Sequence, residues 1–339
     1  MTTGRILLGT HEACLEHDTG WRHPERPRRL QAVLDGVEAS GVNQTVSRFV
    51  PRPATRAELL AVHDAGLVDA IEALCAAGGG SIDSDTVASS GSWDAALVAA
   101  GAGLDAAARL EANEGDAAFI VVRPPGHHAT PSRAMGFCLL NNVAVTAAGL
   151  ADAGERVLIV DFDAHHGNGT QEAFYRDSRV TYVSLHEWPQ YPGTGWLDET
   201  GEDEGRGATV NVPLPSGATG DVLLGALERI VGPVASRIRP TWLLVSAGFD
   251  GHAADPLTDM GLSSGDFGLF IEELRALVPA GRLIVMLEGG YDLEALTNST
   301  AATVAALAGE RLAPERPTRG GPGLDVVDAV ERLTASARY

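Results

Sequence analysis

The stretch RVLIVDFDAHH, Arg156 to His166, running on into Gly167-Asn168-Gly169-Thr170, decides how the rest of the chain is read. Val157, Leu158, Ile159 and Val160 form an unbroken apolar run, the pattern of a strand buried on both faces of a parallel sheet. The run ends in Asp161, Asp163, His165 and His166. Side chains at i, i+2 and i+4 of a strand share a face, so alternation predicts that Asp161, Asp163 and His165 point together at the open end of the sheet. Two carboxylates and an imidazole converging there make half a metal site.

Apolar runs on either side repeat the signal. Strands are expected at Ile6–His11, Ala117–Val122, Val157–Phe162, Val180–Leu185, Ala208–Leu214, Trp242–Ala247 and Leu283–Leu287. Helices are expected at Arg28–Ala39, after Pro24 and Pro27, and at Arg56–His63, Ala65–Ala77, Trp93–Leu110, Val143–Ala153, Val222–Ile238, Asp266–Val278 and Leu293–Ala308. The run SIDSDTVASSGS reads as a polar loop. Strands alternating with helices imply crossovers and a mostly parallel sheet covered on both faces. With no internal repeat and no linker, the chain reads as one α/β domain, with a core over residues 4–310 and a C-terminal extension, 311–339, that ends in a short helix.

Composition narrows the function. The net charge of −20 disfavours binding to a phosphate backbone, and all 25 basic side chains are arginines. An acidic surface suits cationic substrates. No apolar run reaches the ~18–20 residues a bilayer demands and the N-terminus lacks a signal-peptide layout, so no membrane partner and a cytoplasmic location are expected. Cys14, Cys75 and Cys138 are odd in number and widely spaced, which argues against a disulfide framework. An oligomeric state is left open.

In open α/β sheets ligands bind beyond the carboxyl ends of strands. Five expected strand ends carry ligand-type residues: Arg123 to His128, Asp161 to His166, Ser184 to His186, Ser246 to Asp250, and Glu288 to Tyr291. A catalytic metal keeps three protein ligands and an open position; Asp163 and His165 supply two, and Asp250 is the best-placed third. His127-His128, fixed by Pro124, Pro125 and Gly126, suits an acid-base pair, and Tyr291 after two glycines could donate to an oxyanion. Each feature alone has a bland reading, whether a strand-end carboxylate pair, a hydrogen-bonded histidine pair or a packing tyrosine. His11, His17, His63, His186, His252 and His166 read as structural.

PPGHHA (124–129), GFCLLNN (136–142), DFDAHHGNGTQ (161–171), SLH (184–186), YPGTG (191–195), SAGFD (246–250) and EGGY (288–291) together resemble the zinc-dependent histone deacetylase family. The resemblance implies the arginase-deacetylase fold, with a mainly parallel eight-stranded sheet. It implies zinc, or ferrous iron, on Asp163, His165 and Asp250, and a structural potassium ion at Asp161, Asp163, His165, Ser184 and Leu185. A second such cation is implied near Phe174, Asp177 and Val180. It makes His127 and His128 the tandem histidines, backed by Asp161 and Asn168, and Tyr291 the electrophilic tyrosine. Gly136, Phe137 and Tyr191 would line a narrow channel, with Asp85 at its rim and Leu257 beside it. Asn168 in HHGNGT looks like the class II and bacterial branch.

The implied reaction is hydrolysis of an acetylated side-chain amine. Leu257, where polyamine-selective relatives can carry glutamate, tilts the expectation toward acetyl-lysine in proteins or peptides. An acetylpolyamine amidohydrolase is the alternative. A two-metal arginase-like hydrolase and a non-catalytic acyl-lysine binder are remoter; the first needs further ligands, the second the loss of one.

Overall fold

The computed structural model describes residues 4–336. Its strands are β1 (Ile6–Gly9), β2 (Val46–Phe49), β3 (Gly79–Ser81), β4 (Val87–Ser89), β5 (Ala117–Ile120), β6 (Val157–Asp161), β7 (Val180–Glu187), β8 (Thr209–Leu214), β9 (Trp242–Ala247) and β10 (Leu283–Leu287). Eight of them form one sheet in the order β2-β1-β5-β10-β9-β6-β7-β8, and every pairing in it is parallel. The central strands are apolar up to their carboxyl ends, as expected of a sheet covered by helices on both faces.

The helices are α1 (Arg28–Ala39), α2 (Arg56–Leu60), α3 (Ala65–Ala76), α4 (Ser92–Glu111), α5 (Asn142–Asp152), α6 (Asn168–Phe174), α7 (Gly220–Ala226), α8 (Gly232–Ile238), α9 (Ser264–Arg275), α10 (Leu293–Ala308) and α11 (Leu324–Ser336). Helix α1 packs on α10 and α10 on α9, while α4 pairs with α5. Reciprocal capping boxes start α2 (Thr55 with Glu58) and α9 (Ser263 with Asp266), and Asp292 caps α10 immediately after Tyr291. In α11, Val327 and Val330 are buried in the main core, so the C-terminal segment packs as part of the domain.

Register places the functional loops at one height. Asp161 on β6 lies opposite Ser184 on β7 and Ser246 on β9, and Ala247 lies opposite Leu287 on β10. The chain therefore leaves these neighbouring strands at the same edge, which brings together five loops far apart in sequence.

Several expectations are corrected. The stretch read as a polar loop contains half of an antiparallel hairpin, β3 with β4, where Gly79 lies against the backbone of Ala88 with φ of +94°. Edge strand β2, whose Ser47 and Arg48 are exposed, lacks the apolar pattern that marks the others. Helix α6 is short and opens on Gly167-Asn168-Gly169, which reads as loop. The helix expected over Val222–Ile238 contains a π-helical turn at Leu227–Val231 between α7 and α8. The first strand stops at Gly9 and α2 at Leu60, both short of their expected ends.

The crossing of α1 and α10 depends on Gly36, where an added Cβ would lie 2.4 Å from the Thr297 carbonyl oxygen and 2.7 Å from Thr300 Cβ. Gly66 in α3 faces open space. Replacing a helical glycine with alanine ordinarily stabilises by about 0.5–1 kcal/mol. Gly66→Ala should follow that rule. Gly36→Ala should reverse it, destabilising by about 1–3 kcal/mol through overpacking; urea unfolding midpoints that shift the same way in both variants would contradict this account of the crossing.

Candidate metal and acid-base site at the carboxyl edge of the sheet

Strand β6 ends at Asp161, so strand alternation does not carry on to Asp163 and His165. The turn itself gathers them: the Asp163 amide donates to Asp161 Oδ1 (3.1 Å) and the His165 amide to Asp163 Oδ1 (2.9 Å). Asp161 lies outside the metal-type group and serves the His127 ring, which also approaches Asp163 at 3.8 Å. Asp161 Oδ2 accepts from His127 Nδ1 (3.0 Å) and from the Tyr182 hydroxyl (2.9 Å).

Asp163 and His165 instead meet Asp250, which follows β9. Donor atoms of these three buried residues lie within 4.8 Å of one another, and among the described residues they are the one group of this kind that could hold a metal ion. His165 Nδ1 is 2.9 Å from Asp250 Oδ2 and 3.3 Å from Asp163 Oδ1. The surroundings fit a cation. Two carboxylates in a dry pocket repel one another, and a bound divalent ion would offset that charge. Backbone amides hold the carboxylates in place, Ala164 on Asp250 Oδ1 (2.9 Å) and Gly289 on Asp163 Oδ2 (2.8 Å). The space is kept open by residues without side chains. A Cβ at Gly248 would sit 2.0 Å from Asp163 Oδ2, and one at Gly289 would sit 2.2 Å from Asp250 Oδ2.

The tandem histidines come from the loop after β5. Glu288, fully buried after β10, anchors that loop by accepting the amides of Gly126 (2.7 Å) and His127 (3.2 Å) and the Ser246 hydroxyl (3.1 Å). The rings of His127 and His128 are 4.1 Å apart, and that of His128 is 6.1 Å from His165. Burial alone would depress His127, but the carboxylates of Asp163, Asp161 and Glu288 outweigh it and lift the imidazole to about 10. His128 is pushed well below its usual range by burial and by the neighbouring imidazoles of His127 and His165. Its Nδ1 is paired with Asn168 Oδ1 at 2.9 Å.

Aromatic rings pack beside these groups. Tyr191 stands edge-on to His128 (5.2 Å), and Phe137 is edge-on to both Tyr291 (5.8 Å) and His23 (4.7 Å). Phe137 adopts φ of +67°, and its amide donates to Thr86 Oγ1 (3.2 Å). Gly136, at φ of +56°, passes so close to His128 that a Cβ would lie 2.5 Å from the ring. Asp85 is exposed; its carbonyl accepts from His23 Nε2 (2.9 Å). Leu257 is half-buried, its carbonyl held by Gln190 Nε2 (3.3 Å). The Tyr291 phenol is raised well above its ordinary value by burial, with the Arg29 cation opposing, so it stays protonated.

Ser184 and Leu185 are buried on β7, with Ser184 beside Asp161. His166 is held by Thr194 (2.8 Å) and Gln171 (3.1 Å) and driven by burial to about 3, in keeping with a structural part.

Residues that the sequence did not single out support this edge from below. Arg29 donates to the carbonyls of Gly290 (2.6 Å) and Glu288 (2.5 Å) and lies 4.9 Å over the Tyr291 ring. Glu25 is buried between Arg123, Arg29 and His17. Glu25 lies in the polar, proline-punctuated run before Arg28, and Arg29 in the first turn of the expected helix Arg28–Ala39. A buried cation is invisible in a pattern that records only its polarity.

A model of the histone deacetylase domain matches residues 23–307. A probable deacetylase of Archaeoglobus fulgidus is 39% identical over 316 residues, covering 91% of this chain and 87% of that one. A histone deacetylase-like amidohydrolase of Pseudomonas aeruginosa is 39% identical, covering 87% of this chain and 79% of that protein. Among solved structures, the crystal structure of the HDA15 HD domain superposes with a TM-score of 0.90 at 37% identity, covering 98% of this chain and 95% of that one.

Loading the protein with a divalent ion should give about one ion per chain, the stoichiometry of a three-ligand catalytic site. Gly248→Ala should weaken retention by about 10–100-fold, the range seen when support around a metal is disturbed, without changing the circular dichroism spectrum. Metal content after dialysis checks this; a folded Gly248→Ala protein with unchanged retention would remove Gly248 from the site.

Proposed function

The chain belongs to the histone deacetylase family and is a hydrolase that deacetylates amides, and from that premise we propose that it removes acetyl groups from lysine side chains in peptides or proteins, using zinc held by Asp163, His165 and Asp250. The observation that carries this reading is the tandem histidine pair, buried beside the metal-type cluster, with the Tyr191 ring against His128 and the Phe137 ring against Tyr291. Ferrous iron suits the same donors.

When bound, the divalent ion acidifies a water molecule and polarises the amide carbonyl. The remaining work falls to protein groups. His128 donates its Nδ1 proton to the Asn168 amide oxygen, leaving Nε2 free to accept the proton of the attacking water and return it to the leaving amine. His127 donates Nδ1–H to the Asp161 carboxylate, which fixes the ring and favours positive charge on it as the carbonyl is attacked. Tyr291, protonated, donates to the oxyanion as the carbonyl becomes tetrahedral. Phe137 and Tyr191 exclude water along the methylene stem, with Gly136 leaving room at the turn. A monovalent cation at Asp161, Asp163, His165, Ser184 and Leu185, potassium in this reading, would brace the two strand ends that the β6–β7 register sets side by side.

Leu257 supports acetyl-lysine over a polyamine, because an aliphatic side chain there offers no charge to a distant ammonium. The second reading, an acetylpolyamine substrate, has its own support in the carboxylates Asp85 and Asp83, which add to burial in raising the Tyr191 phenol. Asp85 would otherwise hold the backbone of a peptide substrate.

Steady-state kcat/KM should be at least about tenfold higher for an acetyl-lysine peptide than for acetylputrescine, the scale of one unmatched polar contact; the opposite order would overturn the substrate assignment. Tyr291→Phe should lower kcat by about 10²–10³, the loss expected for one oxyanion donor. Near-normal turnover in that variant would take Tyr291 out of the mechanism.

A further inference from the structure

Tyr291 is carried by a five-residue loop, Glu288 to Asp292, whose backbone polar groups are held from several directions. The Glu288 amide donates to the Ala247 carbonyl (2.9 Å), the Gly289 amide to Asp163, and the Gly289 carbonyl accepts from the Phe249 amide (3.1 Å). Arg29 grips the carbonyls of Glu288 and Gly290. Gly290 takes φ of +112°, which turns the chain before the tyrosine. The amides of Tyr291 and Asp292 meet one carboxylate. Asp255 Oδ2 accepts from Tyr291 N–H at 2.7 Å and from Asp292 N–H at 3.4 Å.

We propose that Asp255 is the positioning residue for Tyr291, an assignment that rests on the reading of Tyr291 as the oxyanion donor. Asp255 is 7% exposed and lies outside the metal-type group, although it follows Asp250 by five residues in the same loop. Its other oxygen accepts the Leu257 amide (3.0 Å), so the carboxylate ties the loop after β9 to the loop after β10. The Tyr291 ring meets Phe137 at one edge and Arg29 over a face, contacts that limit its tilt but leave its distance from the reacting carbon to the backbone. That distance is what a hydrogen bond to the tyrosine's own amide fixes. Arg29 on the carbonyl side and Asp255 on the amide side hold the loop from its two polar faces. A displacement of about 1 Å at a donor can cost about 10²-fold in rate, so the anchor is kinetically important even though it touches no substrate.

Asp255→Ala should lower kcat by about 10–100-fold, and the near-isosteric Asp255→Asn, which keeps one acceptor oxygen and turns an NH2 against either the Leu257 amide or those of Tyr291 and Asp292, should lower it by less, with KM for an acetyl-lysine peptide moving by less than about threefold in both. A purely structural role would not produce the decisive result, which is non-additivity. In a Tyr291→Phe background Asp255→Ala should cost less than about threefold more, because the contact it positions is already gone. Deuterium uptake by the peptide spanning residues 288–292 should rise in both Asp255 variants, a readout independent of turnover. Equal costs of Asp255→Ala in the two backgrounds, or loss of bound metal in Asp255→Asn, would overturn the assignment and point to Asp250 as the group disturbed. Tyr291→Phe with wild-type kcat would instead overturn the underlying reading of the tyrosine, and with it this role for Asp255. If Asp255→Ala fails to fold, Asp255→Asn carries the same comparison.

Discussion

The placement of two buried carboxylates, Asp163 and Asp250, with donor atoms in one small group is the constraint from which the rest of the site follows. Such a pair is unfavourable in a dry pocket unless positive charge or N–H donors face it. The fold supplies fixed donors, the amides of Ala164, His165 and Gly289, and it keeps the facing chain close by using Gly248 and Gly289 where any side chain would collide with the carboxylates. It also supplies His165, whose Nδ1 lies between the two aspartates. The same negative charge reaches outward. It raises His127, and at longer range it combines with burial to keep Tyr291 protonated.

Much of this edge was legible because parallel sheets announce themselves. An apolar run ending in ligand-type residues is readable residue by residue, and β9, β10 and α10 fall where their hydrophobic patterns begin and end. The illegible parts share a physical reason. Strand β2 lies at the sheet edge with solvent on one side, so its sequence carries Ser47 and Arg48 instead of a core pattern. The β3–β4 hairpin is three residues per strand and is held by glycine geometry, not by hydrophobic periodicity. The convergence of Asp163 and His165 was expected for the wrong cause: the strand has already ended, and hydrogen bonds in the turn do what pleat alternation was expected to do. Sequence spacing was a sound guide to the group but not to its mechanics.

The burial of the supporting charges was least visible: Arg123 and Glu288 were placed at strand ends by the sequence, but not as buried anchors. Arg29, Arg123, Glu25 and Glu288 are all buried, yet composition alone assigns charged residues to the surface. Each is compensated by a partner or by several backbone groups, and none of those partners is near in sequence except the Glu25–Arg29 pair one helical turn apart. Glu288 illustrates the point. It is one residue beyond an apolar strand, its carboxylate accepts two amides from a loop more than 160 residues away, and its pKa is raised by burial to about 7. Only the strand order, which makes β5 and β10 neighbours, turns that separation into contact.

Two histidines adjacent in sequence meet different partners at this edge. His127 faces the end of β6 and finds the Asp161 carboxylate; His128 faces the start of α6 and finds the Asn168 amide. An anion as partner favours the imidazolium, whereas a neutral amide leaves burial and the adjacent cation free to favour the neutral ring. Two like groups whose environments push them apart are the condition for dividing acid-base and electrostatic work between them. The division is thus written not in the HH pair, which is symmetric, but in the seven-residue step from Asp161 to Asn168, which carries the chain from a carboxylate at the strand end to an amide at the helix start.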